Sequence, residues 1–410
     1  MTYPMKIIQL NSYITLNGGS ETVMSNISTL LGESGHTVIN IGYTSRKETR
    51  VMPNAYSLGP EKYSLPTFFH EKKTVDHIID KINATGSSLV ICHNVYHKYP
   101  MADLLKAIKL RTKARLALLF HDYKAVCPRC NLYNGKRICT DCTQGKFINV
   151  IKHRCRNKSV LQSSVLAVDS YYNNSYRDAY SYPDLFITPS HFMAKQLHKM
   201  GFEHKISVIH NPIDIKQFKQ FKKMTGFRQT VLYAGRFSKD KGIELFLEAA
   251  AGLKNIKFLI AGVGDLIEMV ERADKEMDNV EYLGSLNKEQ LMETFDRSDF
   301  LILPSIWYEN NPMIIIEAMT YGLVVIGSDI GGIPELLNEG RGFLFDPLKP
   351  DSLAGQIQKS ESISISEYDE ISARAKSFAQ NLSSENYYLE LCRLIPELRN
   401  APELVTDGIN

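Results

Sequence analysis

A chain of 410 residues is too long for one ordinary hydrophobic core, so two domains are expected. With 44% hydrophobic and 23% charged residues it has ordinary globular usage, and no apolar run approaches the roughly 18 residues that span a bilayer. Seven Cys in this length do not make a secreted disulfide framework, and Met1-Thr-Tyr-Pro-Met-Lys6 lacks the charged-then-apolar pattern of a signal peptide, so a cytoplasmic location is expected.

Short apolar runs alternate with helical stretches along the chain. In the first half the runs are 6–10, 37–41, 88–92, 115–120, 184–188 and 206–209; in the second they are 230–234, 256–261, 280–283, 299–303, 323–326 and 342–345. This β–α alternation predicts an α/β fold with two doubly wound domains, each a parallel sheet with helices on both faces. The join is placed at Asn211-Pro-Ile-Asp214 and the polar, Lys-rich stretch up to Arg228; Ser383 to Arg399 has the spacing of a terminal helix. Ligands of such sheets bind beyond the carboxyl ends of the strands, which is where the motifs fall.

After the first run, Asn17-Gly-Gly-Ser-Glu21 opens a helix, with Gly18 and Gly19 permitting close approach of a ligand and Ser20 as the expected cap. His121-Asp122 follows the run 115–120; a His there can donate a hydrogen bond to a sugar hydroxyl or a phosphate. Arg236 and Lys241 lie on the loop after the run 230–234, offering a bidentate fork and a point charge to a departing diphosphate. No Asp-x-Asp triplet occurs, so no metal-bridged diphosphate and no catalytic cofactor is expected. In Glu309-Asn-Asn-Pro-Met-Ile-Ile-Ile-Glu317, Asn311 can cap a helix whose first position suits Pro312, and Gly322 suits the residue past its end. Glu309 then falls on a strand-to-helix loop and Glu317 about a turn and a half inside the helix, on either side of an anion-binding helix start.

Two further features lie between Lys98 and Lys158. The segment holds fifteen Lys/Arg and three Asp, a net of +12, so the remainder carries −9 to reach +3. Such asymmetry points to an anionic partner: nucleic acid, a membrane surface or a phospholipid-like substrate. The same segment carries Cys127-Pro-Arg-Cys130, Cys139-Thr-Asp-Cys142, Cys155 and, close by, His153. Two C-x2-C pairs suggest a structural zinc, although five Cys compete for four positions.

In order along the chain, Gly18-Gly19-Ser20-Glu21, His121-Asp122, Pro189-Ser190, Asn211-Pro212, Gly235-Arg236 through Lys241-Gly242, Glu309 through Glu317 with its E-x7-E spacing, and Gly331-Gly332-Ile333-Pro334-Glu335 together resemble glycosyltransferase family 4. The resemblance implies the GT-B fold: an acceptor-side domain 1–211 with a Cys-rich insertion at 123–158, a donor domain 212–380 and a terminal helix 381–410 returning to the first domain, with a cleft between the two domains. It also implies retention of anomeric configuration and a UDP- or GDP-sugar donor. Arg236 and Lys241 would hold the diphosphate with Gly18 and Gly19 approaching it, Asn310, Asn311 and Glu317 would bind the nucleotide, with Glu317 on the ribose, and Glu309 and His121 would contact the sugar. Glu309 is then a sugar-positioning residue in a front-face reaction rather than a nucleophile. A subgroup with a similar Cys pattern implies zinc on Cys127, Cys139, Cys142 and Cys155, leaving Cys130 as an extra. The implied acceptor is a glycan or polyprenyl-diphosphate-linked glycan of surface-polysaccharide assembly at an anionic membrane surface, with no nucleic acid as partner. Two other readings fit part of the chain: a GT-B enzyme of the nucleotide-sugar epimerase type, and a Cys-rich zinc or basic binding module without catalysis. The binding module leaves Arg236, Lys241, Glu309 and Glu317 without work.

Overall fold

The computed structural model describes residues 4–16, 18–45, 50–60, 71–218, 226, 229–349 and 351–400. Asn17 of the glycine loop, and 219–225, 227 and 228 of the expected join, lie outside the described residues. The chain divides into two compact units, the first made of Met1–Asn134, Cys139–Pro212 and Ser384–Asn410, the second of Gly135–Ile138 and Ile213–Ser383.

The first unit is built on a parallel sheet of β1 (Lys6–Tyr13), β2 (Thr37–Thr44), β3 (Ala55–Pro60), β4 (Leu89–Cys92), β5 (Arg115–Leu119), β6 (Leu185–Thr188) and β7 (Ile206–Val208), in the order β3-β2-β1-β4-β5-β6-β7. Leu89–Cys92 is buried at every position, the pattern of a strand covered on both faces. Helices Gly19–Glu33, Lys72–Thr85, Met101–Arg111 and His191–Lys199 supply the crossovers. The terminal helix Ser384–Leu394 packs on Gly19–Glu33, and the Tyr388 hydroxyl lies 3.0 Å from His36 Nε2. Strand β3 has no counterpart among the predicted runs. It is a half-exposed edge strand carrying Ser57, Gly59 and Pro60, so it shows no apolar run.

The second unit carries β8 (Thr230–Ala234), β9 (Lys257–Ala261), β10 (Val280–Gly284), β11 (Phe300–Leu303), β12 (Val324–Ser328) and β13 (Phe343–Phe345) in the order β10-β9-β8-β11-β12-β13, again all parallel. Side chains alternate between two cores: Phe300, Ile302, Val324 and Ile326 enter one, Leu301, Leu303 and Val325 the other. In each sheet the strand order reverses once, between β1 and β4 and between β8 and β11. Those two reversal points are where loops diverge and leave a crevice at the carboxyl ends of the strands.

Candidate functional site

In the second unit the loops after β8 and β11 meet at the reversal point. Glycines let their backbones touch: a Cβ on Gly242, at φ 71°, would lie 1.7 Å from the Pro304 carbonyl oxygen. From the first loop, Lys241 Nζ donates to Glu309 Oε1 at 2.6 Å and lies 4.9 Å from the centre of the Trp307 ring. The same oxygen accepts from Ser305 Oγ at 2.8 Å and from Trp307 Nε1 at 3.0 Å. Glu309 is only 7% exposed. Burial pushes its carboxyl up, but the Lys241 charge and the three hydrogen bonds outweigh burial and hold it below the usual carboxylate range. It is therefore a buried carboxylate at neutral pH, with donors gathered on one oxygen. Arg236 stands apart: its side chain is 62% exposed and reaches Asp240 at 3.5 Å.

The loop after β12 fixes Glu309 from below. Gly332 N donates to the Glu309 carbonyl at 2.6 Å, and a Cβ on Gly332 would fall 1.9 Å from the Asn310 carbonyl oxygen. Asn310 and Asn311 continue the loop, and the helix runs Met313–Tyr321. It begins one residue later than expected. Pro312, not Asn311, is the cap residue, because the Pro312 carbonyl accepts the first helical bond, from Ile315 N at 3.1 Å. Gly322 closes the helix at φ 96° as its position suggests. Glu317 sits in the second turn, where burial pushes its carboxyl up to about 7 against the opposing charge of Lys288.

In the first unit, Gly18 caps the helix Gly19–Glu33 and no side chain does, contrary to the role expected of Ser20. Ser20 Oγ instead donates to Glu21 Oε1 at 2.9 Å, beside Asn11 Nδ2 at 3.1 Å on the same oxygen. A Cβ on Gly19 would meet nothing within 4 Å.

His121 ends a buried hydrogen-bonded line that crosses four neighbouring strands. Asn40 Nδ2 donates to the Pro53 carbonyl at 2.8 Å, so Asn40 Oδ1 faces Gln9 Nε2 at 3.0 Å. Gln9 Nε2 also donates to the Met24 carbonyl, which turns Gln9 Oε1 toward His93 Nε2 at 2.9 Å. His93 Nε2 must carry its proton, and burial followed by the neighbouring His121 keeps that ring neutral. His93 Nδ1 then accepts from His121 Nε2 at 2.8 Å. Burial pushes His121 down to about 4, so its ring is neutral too and Nδ1 is its acceptor nitrogen. This corrects the expected polarity: beyond His93, His121 accepts rather than donates. Only its hydrogen-bonded neighbours, invisible to local spacing, set that direction. The next residue, Asp122, accepts from the Tyr96 hydroxyl and from Lys124 N, and burial pushes it up to about 7.

The cysteine segment also differs from expectation in detail. Among the described residues, the group whose ligand atoms all lie within 4.8 Å of one another is Cys139, Asp141 and His153, with His153 Nε2 2.7 Å from Asp141 Oδ2. Cys127, Cys142 and Cys155 do not join that compact group. They are near enough to matter: burial first, then Cys127 and Cys139, push Cys155 up to about 11, and burial followed by Cys127, Cys139 and Cys155 raises Cys142. Cys130 has a different setting, burial first and then the charges of Asp122 and Lys124. Asp141 was missed because it lies inside a C-x2-C pair, where the thiols carry the recognisable spacing. Thiolate, imidazole and carboxylate are all ordinary zinc donors, so these residues fit such an ion.

Residues 17–217 match the family described as Glycosyltransferase Family 4, and residues 214–378 match Glycosyl transferases group 1. Among curated proteins, the chain is 29% identical over 176 residues to an uncharacterized glycosyltransferase of Methanocaldococcus jannaschii, covering 38% of this chain and 45% of that one. It is 26% identical over 243 residues to the putative colanic acid biosynthesis glycosyltransferase WcaL of Salmonella typhimurium, covering 55% and 60%. It is 25% identical over 343 residues to N-acetyl-alpha-D-glucosaminyl L-malate synthase of Bacillus anthracis, covering 79% of each. The first two alignments thus span about half of the relatives' length. Among solved structures, a glycosyltransferase of Rickettsia africae superposes with a TM-score of 0.68 at 18% identity, over 97% of this chain and 99% of that one. HepE of Anabaena, solved in complex with UDP-glucose, superposes with 0.65 at 16%, over 96% and 99%. These likenesses establish the two-unit GT-B architecture.

Proposed function

For this member of the family 4 glycosyltransferases, we propose transfer of a sugar from a UDP- or GDP-sugar to a hydroxyl of a glycan or polyprenyl-diphosphate-linked glycan, with retention of anomeric configuration. One observation carries the reading: a buried, ionised Glu309 is locked to Lys241 at the reversal point of the second sheet, beside the helix that carries Glu317. Stability alone gives little reason for such a pair, since a buried ion pair is weak evidence for stability. As chemistry it is apt. The anchored carboxylate presents an acceptor to donor-sugar hydroxyls, and Lys241 brings positive charge to where the diphosphate leaves. Arg236, exposed on the same loop, adds a second cation, Asn310 and Asn311 line the approach, and Glu317 binds ribose. In the first unit Gly18 and Gly19 are assigned to phosphate approach and the His121 acceptor nitrogen to a sugar hydroxyl.

As the sugar–phosphate bond breaks, its electron pair goes to the diphosphate. The acceptor hydroxyl attacks the anomeric carbon from the same face and passes its proton to a leaving phosphate oxygen. The assignment to surface-polysaccharide synthesis draws on relatives such as WcaL. A structural zinc on the cysteine segment, and reversible attachment to an anionic membrane surface through the basic segment 98–158, belong to the same reading; among the described residues no helix is long and apolar enough to cross a membrane.

The test uses the chain's single tryptophan, Trp307, which already touches both Glu309 and Lys241. UDP or GDP should change its fluorescence saturably, and Glu309→Gln should keep binding while losing transfer. NMR of the product should show the donor's anomeric configuration. An inverted product, or no fluorescence response to any nucleotide, overturns the assignment.

A further inference from the structure

The loop that leads into Glu309 holds one side chain to which the roles above give no work. Ser305 and Glu309 are buried, and between them Ile306, Trp307 and Tyr308 are half-buried. Trp307 is the only tryptophan of the chain. It touches both members of the ion pair: its indole Nε1 donates to Glu309 Oε1 at 3.0 Å, and its ring centre lies 4.9 Å from Lys241 Nζ. The backbone keeps these groups together. Ile306 N donates to the Asp240 carbonyl at 3.0 Å, so the residue before Trp307 is tied to the residue before Lys241.

The ion pair poses a difficulty that Trp307 resolves. The Lys241 ammonium is engaged with Glu309, whereas the proposed reaction needs its charge at the diphosphate. Drawing the ammonium away strips a carboxylate that is 7% exposed of its counter-charge, and a buried charge left bare is costly. The usual escape is to take up a proton. Trp307 offers another. Its N–H and the Ser305 hydroxyl, at 2.8 Å, both stay on Oε1 when the ammonium leaves, so the carboxylate remains hydrogen-bonded. The ring face attracts a cation out to about 6 Å, which gives the ammonium a favourable surface to move along. Among the described residues Tyr233 on β8 also feels Glu309: burial first, then Glu309 and Asp240, push its phenol up against the opposing charge of Arg236, so Tyr233 stays neutral. The charge on Glu309 therefore answers to Lys241 and to the two neutral donors.

We propose that Trp307 is a positioning residue for the transfer: its N–H keeps Glu309 charged, and its ring steers Lys241, while the ammonium passes from Glu309 to the donor diphosphate. The inference rests on the transferase reading and deepens it by naming the event that readies the site. The arriving diphosphate releases Glu309 from Lys241 and turns the carboxylate to the donor sugar.

The test is calorimetric binding of UDP and of GDP to the full-length protein in buffers of different ionisation enthalpy, which reads the protons taken up on binding. At about pH 8, above the range in which nucleotide phosphates and Glu317 titrate, the natural protein should take up almost none. Trp307→Phe keeps a ring but removes the N–H, so Glu309 should take up a proton as Lys241 leaves. The nucleotide should then bind about two- to ten-fold more weakly, the scale of one hydrogen bond. Adding Glu309→Gln to Trp307→Phe should abolish the uptake, because no carboxyl is left to protonate. Trp307→Leu removes the ring as well and should weaken binding further. Since Trp307 is the single tryptophan, growth on 3-benzothienylalanine, with sulfur in place of the N–H, repeats the test on a ring of the same shape should Trp307→Phe fail to fold. Unchanged affinity in these variants, or weaker binding without proton uptake, would make Trp307 a packing residue and overturn the proposal while the transferase reading stands. Failure of the natural protein to bind either nucleotide would overturn both.

Discussion

Replacing Lys241 with Met removes the ammonium from Glu309 while keeping most of the stem. Glu309 loses one of three hydrogen bonds to Oε1, and the one lost is its only bond from a charged donor, at 2.6 Å. Such a bond contributes about 1.5–3 kcal/mol, and breaking a fully buried pair costs about 3–5 kcal/mol because a bare charge is left behind. The Lys241 side chain is 22% exposed, so water relieves part of that penalty and a loss of about 2–3 kcal/mol is expected. In a unit of roughly 170 residues that lowers the thermal midpoint by about 4–12 °C. Arg236→Met is the control: its contact with Asp240 is 3.5 Å long and exposed, worth about 0–1 kcal/mol. Urea unfolding followed at Trp307 reads the local unit directly. The pH dependence should also change sign. In the natural protein Glu309 is held below its ordinary 4.5, so its contribution is fully present above 4.5 and disappears as the pH falls through the lower folded value. Without Lys241, burial dominates and raises the folded value above 4.5; the carboxylate then costs stability at neutral pH, and acidification toward that value restores it. A loss below about 1 kcal/mol, or a variant that weakens in acid just as the natural protein does, would refute the reasoning.

Glu317, pushed up to about 7, should make the protein less stable as pH rises from 4.5 toward 7, and Glu317→Gln should flatten that slope; parallel thermal midpoints across this range would count against it. If the ionised form binds ribose, nucleotide affinity should also fall as the pH drops below about 7, and the Gln variant should bind more weakly with no such trend. The His121 ring should show a protonated Nε2 and an unprotonated Nδ1 in nitrogen NMR, and Gln9→Leu should mix the two tautomers; an Nδ1-protonated ring in the natural protein would contradict the assigned direction of the line. Protein purified without chelator should contain about one zinc per chain, a closed structural site being the simplest use of these donors, and Cys139→Ser or Asp141→Asn should lower it; a metal content near zero in active protein would remove the zinc assignment.

The elements were legible because their information is local. Leu89–Cys92 and Phe300–Leu303 read as buried strands from their composition, Gly322 announced the end of its helix, and the β–α alternation required parallel sheets with sites at the carboxyl ends of their strands. Edge strand β3 escaped, since half-exposed Ser, Gly and Pro carry no period to detect. The spacing of Glu309 and Glu317 was visible as well, because a loop and the helix after it are neighbours in sequence. What tertiary structure alone decided is which group each side chain answers to. Lys241 and Glu309 are 68 residues apart, and the line from Asn40 through Gln9 and His93 to His121 takes one residue from the region of each of four strands. Parallel strands are joined by long crossovers, so neighbours across the sheet are distant along the chain. Residue type announces a carboxylate or an imidazole; its charge, its tautomer and the nitrogen or oxygen it offers a ligand depend on burial and on partners that only the folded sheet brings within 3 Å.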